Sequence, residues 1–148
     1  MLKLEETEKP FDSVIIASSG QNLTILAGAL RAAQERQAAI DVFNKLTKVT
    51  SDGEAYIAMG NLYYQEDEIE NAINAINKGL EKGDLKNPGF AQLTLGQALF
   101  ELQRFNEARD VFTKASQSEK DAVKKSARAW LKYTDNEQER AVSYTHLT

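Results

Sequence analysis

Apolar residues recur every three or four positions over long stretches of this chain, and no stretch alternates apolar with polar residues. That periodicity predicts helices and no strands. The pattern also repeats itself. Ala39-Ile40-Asp41-Val42-Phe43-Asn44-Lys45, Ala72-Ile73-Asn74-Ala75-Ile76-Asn77-Lys78 and Ala108-Arg109-Asp110-Val111-Phe112-Thr113-Lys114 each read A-x-x-x-(F/I)-x-K. Their alanines lie 33 and 36 residues apart. A second block precedes each: Leu23-x-x-Leu26-Ala27-x-x-Leu30, Tyr56-x-x-Met59-Gly60-x-x-Tyr63 and Gln92-x-x-Leu95-Gly96-x-x-Leu99. Its small residue stands 12 positions before the alanine every time.

A repeat of this size is one pair of antiparallel helices that cannot bury its apolar face alone, so copies stack. Inside a helix Gly60 and Gly96 each cost roughly 0.5–1 kcal/mol relative to alanine. They are expected where two helix axes approach too closely for a side chain, with Ala39, Ala72 and Ala108 opposite. The extra length between the second and third copies falls at Gly83-Asp84-Leu85-Lys86-Asn87-Pro88-Gly89. There glycine should end one helix and proline start the next.

The two blocks resemble the tetratricopeptide repeat, W-x-x-L-G-x-x-Y followed by A-x-x-x-F and a closing proline. The third copy departs at Gln92, and Ser51, Asp84 and Lys120 replace the closing proline. The resemblance implies an all-α fold, an α-α superhelix of antiparallel helix pairs. The organisation expected is the end of a preceding repeat helix over 1–18, repeats over 19–50, 53–84 and 89–120, and a capping helix over 121–140. In that last helix Val123, Ala127, Trp130, Leu131 and Thr134 form one stripe, while Lys124, Lys125, Arg128 and Lys132 lie across from it. Trp130 is expected to anchor the cap on the third repeat. Residues 141–148 do not continue the stripe. Val142-Ser143-Tyr144-Thr145-His146-Leu147-Thr148 resembles a translated sequencing adaptor and is expected to be a non-native tail.

Composition narrows the chemistry. There is no cysteine, and the single histidine, His146, lies in that tail. Zinc sites, cysteine nucleophiles and histidine-based triads are therefore not expected. No glycine-rich phosphate loop occurs. Glu66-Asp67-Glu68 with Glu70 lacks the alternating ligands and glycine turn of a calcium loop, and reads as a solvated turn. The chain is expected to be no enzyme and to need no cofactor. Eighteen basic and 22 acidic residues leave a net charge of −4, which argues against nucleic acid as the partner. No apolar run approaches the roughly 18 residues of a membrane span.

In tetratricopeptide proteins the first helix of each pair lines the concave face. Counted from Gly60 and Gly96, the positions this implies for a bound protein or peptide are Glu54, Ile57, Asn61 and Tyr64, then Phe90, Leu93, Gln97 and Phe100. The first repeat offers Gln21, Thr24, Gly28 and Arg31. Asn61 and Gln97 can both donate to and accept from a peptide backbone. The aromatic and aliphatic members could be anchors, or could pack against neighbouring repeats and one another.

A finer resemblance runs through Ser51–Tyr63, Lys78–Gly89 and Ser126–Tyr133. These stretches are similar to the C-terminal part of tetratricopeptide proteins encoded beside TonB–ExbB–ExbD systems in Gram-negative bacteria. That resemblance implies a periplasmic adaptor for TonB-dependent outer-membrane transport, with TonB-system components as partners; a cytoplasmic scaffold is the alternative. Other readings are a self-associating architectural array and a regulatory repeat domain of a larger enzyme.

Overall fold

The computed structural model describes residues 36–147 together with Ile25, Leu26 and Gly28. The expected helix end over 1–18, and Gln21, Leu23, Thr24, Ala27, Leu30 and Arg31 of the first repeat, lie outside the described residues. The described chain is helical with no strand. Its helices are α1 (Arg36–Val49), α2 (Glu54–Gln65), α3 (Ile69–Lys82), α4 (Pro88–Glu101), α5 (Phe105–Ala115) and α6 (Asp121–Leu147). The most extensive packing is α2 on α3 and α4 on α5; α1–α2, α3–α4 and α5–α6 contacts join the pairs into a stack. The first helices also meet one another, α2 with α4 and α4 with α6. They form the inner layer of a superhelical repeat fold.

The small residues sit where the repeat pattern requires them. A β-carbon on Gly60 would lie 2.4 Å from Ile76 Cγ1, and one on Gly96 would lie 2.4 Å from Phe112 Cε1. In both pairs the glycine of the first helix therefore receives the large residue of A-x-x-x-(F/I). Ala39, Ala72 and Ala108 are fully buried. Among the described residues two clusters make up the core. One joins Val42, Phe43 and Leu46 of α1 to Ala55, Met59 and Leu62 of α2. The other joins Ile73 and Ile76 to α4, to Phe112 and to Val123 and Ala127 of α6. α4 is flanked on both sides and is accordingly apolar around most of its circumference, unlike the amphipathic α3 and α5.

The turns also repeat. Asp67 (φ 63°) and Gln103 (φ 60°) each take the left-handed conformation seven residues after the glycine of the first helix. The next residue then donates its N–H back into that helix, Glu68 to the Tyr63 carbonyl and Arg104 to the Leu99 carbonyl, each at 2.9 Å. Gly83 (φ 79°) closes α3, and Pro88 stands in the first turn of α4. α6 differs from expectation in its length. It continues through the segment read as a tail and ends at Leu147, though Val142 and Tyr144 are 52% and 73% exposed. No glycine or proline interrupts the segment, and a Glu137–Arg140 ion pair at 2.8 Å spans the turn just before it. A helix with no breaker runs on past its last packed residue. Among the described residues no helix is long and apolar enough to cross a membrane.

Candidate peptide-binding face

The eight residues assigned to the inner face fall into three groups. The first is already engaged within the fold. Leu93 is only 7% exposed and belongs to the second core cluster, so it is floor and not a projecting anchor. Ile57 and Phe100 are half-buried against the same cluster. Phe100 stacks on Tyr133 (5.1 Å between ring centres, 27° between planes) and meets Trp130 and Phe105 edge-on. These three pack within the fold, and Ile57 and Phe100 keep part of their surface open.

The second group is polar and tied to its neighbours. The Glu54 carboxylate accepts the backbone N–H of Lys86 at 2.6 Å, joining the start of α2 to the inter-repeat turn. Tyr64 packs on the second cluster and donates its hydroxyl to Glu101 Oε1 at 2.5 Å. Burial first, then this bond, then the negative charges of Glu101 and Asp67 hold its hydroxyl well above the ordinary tyrosine range.

The third group is open. Phe90 is 49% exposed, with the Lys120 ammonium 5.6 Å from its ring centre. Asn61 and Gln97, at equivalent positions of α2 and α4, are half-buried and bond to no other described residue through their side-chain amides. They flank the apolar floor made by Ile57, Leu93 and Phe100. Sequence reasoning missed Tyr133, which is 49% exposed and extends this floor onto α6. Its signal was present in the residues: Tyr133 lies next to the buried stripe, but that stripe was read only as a cap.

The acidic turn is partnered. Arg36 pairs with Glu66 at 3.5 Å and also with Glu68, and Arg104 reaches Glu70 at 3.8 Å and Glu107 at 2.7 Å. These pairs link α1 to the middle turn and that turn to the next. Among the described residues no group of three or more acidic or histidine side chains is placed to hold a metal ion.

Residues 53–81 and 91–121 match the tetratricopeptide repeat family model. No curated protein matches the chain. Several solved structures share the fold. The type III secretion chaperone SycD of Yersinia enterocolitica, crystallised with a peptide of the translocator YopD, matches with a TM-score of 0.69 and 18% identity, over 82% of this chain and 97% of that one. PcrH of Pseudomonas aeruginosa matches at 0.67 and 17%, over 78% and 91%. YrrB, described as a TPR protein with an unusual peptide-binding site, matches at 0.66 and 21%, over 82% and 61%. Residues 53–81 and 91–121 thus match the tetratricopeptide repeat and lie within an all-α superhelical stack.

Proposed function

We propose that this chain is a protein-interaction scaffold that holds an extended segment of a partner along the inner face of α2, α4 and α6. One observation carries the reading: Asn61 and Gln97 present amides with no partner among the described residues at equivalent positions of adjacent first helices, beside an apolar floor already packed in place. A side-chain amide offers both donor and acceptor, so two of them a repeat apart can clasp a peptide backbone as a strand would. A floor that is already ordered removes much of the entropic cost of binding. Fold neighbours crystallised with a translocator peptide, or described by a peptide-binding site, support the same use of this architecture.

The finer proposal is an adaptor of TonB-dependent outer-membrane transport working in the periplasm. What supports it is the resemblance of Ser51–Tyr63, Lys78–Gly89 and Ser126–Tyr133 to the proteins encoded beside those systems. A crosslinking pull-down from a Gram-negative envelope extract tests both levels. The scaffold reading expects a partner captured by the natural chain and lost from an Asn61→Ala/Gln97→Ala variant of unchanged helicity. The adaptor reading expects that partner to be a TonB-system component. Equal capture by both chains would remove the inner-face assignment.

A further inference from the structure

On the other side of α4 a groove that is closed in one repeat stands open in the next. In the middle repeat Tyr56 lies half-buried, with the Lys82 ammonium 5.7 Å from its ring centre. The same ammonium donates to the Thr47 and Thr50 carbonyls at 3.0 and 2.9 Å. Lys82 thereby bridges α3 to the end of α1 across the ring. The third repeat carries Gln92 in place of Tyr56 and Ser118 in place of Lys82, each 36 residues on. Glutamine has no ring to fill the space, and serine is too short to span it. A cleft of about 560 Å³ remains between α3, α4, α5 and the Gly83–Gly89 turn. That is within the range of roughly 300–1,000 Å³ usual for ligand sites. Leu80, Leu85, Pro88, Leu95 and Val111 supply its apolar lining.

We propose that this cleft is a second binding site, which takes the aromatic side chain of a partner segment bearing a carboxylate next to the ring. The middle repeat is the internal template for the ring: the equivalent space there holds Tyr56. The carboxylate follows from charge. Lys114 lines the cleft and makes no ion pair among the described residues. Its four-carbon stem lets the ammonium swing over the opening, as that of Lys82 does over Tyr56. Asp84 also lines the cleft, from the turn side, where its backbone has φ 56°. An aromatic ring with an adjacent carboxylate therefore satisfies both the vacant apolar space and the unpaired cation. Gln92 lies on the face of α4 away from Leu93 and Gln97, so this site is independent of the inner-face proposal.

The test is an NMR-detected titration of the whole chain with N-acetyl-tryptophan, N-acetyl-tryptophanamide and tryptamine as probes. The acid should give saturable shifts at the methyls of Leu80, Leu85, Leu95 and Val111, and none at Ile57 or Leu93. The amide should bind at least threefold more weakly, and tryptamine more weakly still. Gln92→Tyr should lower the acid's affinity at least tenfold by filling the space from within. Lys114→Ala should bring the acid down to the amide's affinity, and this variant decides the matter should Gln92→Tyr not fold. Asn61→Ala/Gln97→Ala should leave all these shifts unchanged, which separates failure here from failure of the inner-face reading. Absence of saturable shifts, shifts confined to Ile57 and Leu93, tighter binding of tryptamine than of the acid, or undiminished binding by Gln92→Tyr would overturn the proposal.

Discussion

Gly53 and Gly79 touch backbone to backbone: a β-carbon on Gly53 would lie 2.1 Å from the carbonyl oxygen of Gly79. The contact lets the start of α2 lie directly on the end of α3, and Gly53 donates its N–H to the Gly83 carbonyl at 2.8 Å. Gly53→Ala must push two backbones apart, at a cost of about 3 kcal/mol. Gly79→Ala meets Ile57 Cδ1 and Cγ1 at 2.5 and 2.8 Å and the Gly53 carbonyl oxygen at 2.9 Å, a milder backbone clash, and gains helix propensity, so its net cost is about 2 kcal/mol. Denaturant unfolding of the two variants should rank them in that order.

Gln103 occupies the left-handed region that an L side chain enters at a cost of about 1–2 kcal/mol. Glycine removes that strain but carries about 0.5–1 kcal/mol of extra unfolded-state freedom. Gln103→Gly is therefore expected to stabilise the chain by about 0.5–1 kcal/mol, visible as a raised melting temperature. Asp67→Gly at the equivalent turn should gain less, because aspartate tolerates this conformation better.

Trp130 lies face to face with Phe112, ring centres 5.5 Å apart and planes at 13°, and meets Phe100 and Tyr133 edge-on. It is half-buried, so Trp130→Ala should cost about 3 kcal/mol, the low end of the range for large core aromatics. Trp130→Phe should retain most of the stacking and cost less. Chemical denaturation of both variants, followed by circular dichroism, checks the order.

Tyr64 makes alkaline stability a specific prediction. Its folded hydroxyl is held above the ordinary tyrosine value, so the folded state favours the neutral form. The resulting stabilisation is complete below the ordinary value of about 10 and is lost as pH rises from there toward the raised folded value. Tyrosinate absorbance should therefore show one of the five tyrosines resisting ionisation longest, and Tyr64→Phe should remove that late step. A Tyr64→Phe chain with the same titration curve less one ordinary tyrosine would contradict the environment described.

The repeating contacts were legible in the residues and the exceptional ones were not. Gly60 against Ile76 and Gly96 against Phe112 follow from spacing, because each pair lies within one helix hairpin of fixed geometry. Gly53 against Gly79 is also within a hairpin, but no periodic apolar signal marks a contact made by two backbones. Lys82 reaching Thr47 and Thr50, and Tyr64 reaching Glu101, join different repeats. They depend on how one pair is rotated on the next, which a single sequence does not specify. Leu93 shows the same limit from the other side: its register places it on the inner face, while neighbouring helices on both sides of α4 bury it.

The most direct test of the central claim is calorimetric titration with a peptide selected from a random library on the intact chain. Affinity for that peptide would be compared between the natural chain and Asn61→Ala/Gln97→Ala, with melting temperatures measured alongside. Loss of two hydrogen-bonding amides should weaken binding about tenfold or more at unchanged stability. Equal affinity in the two chains would contradict a peptide held along the inner face.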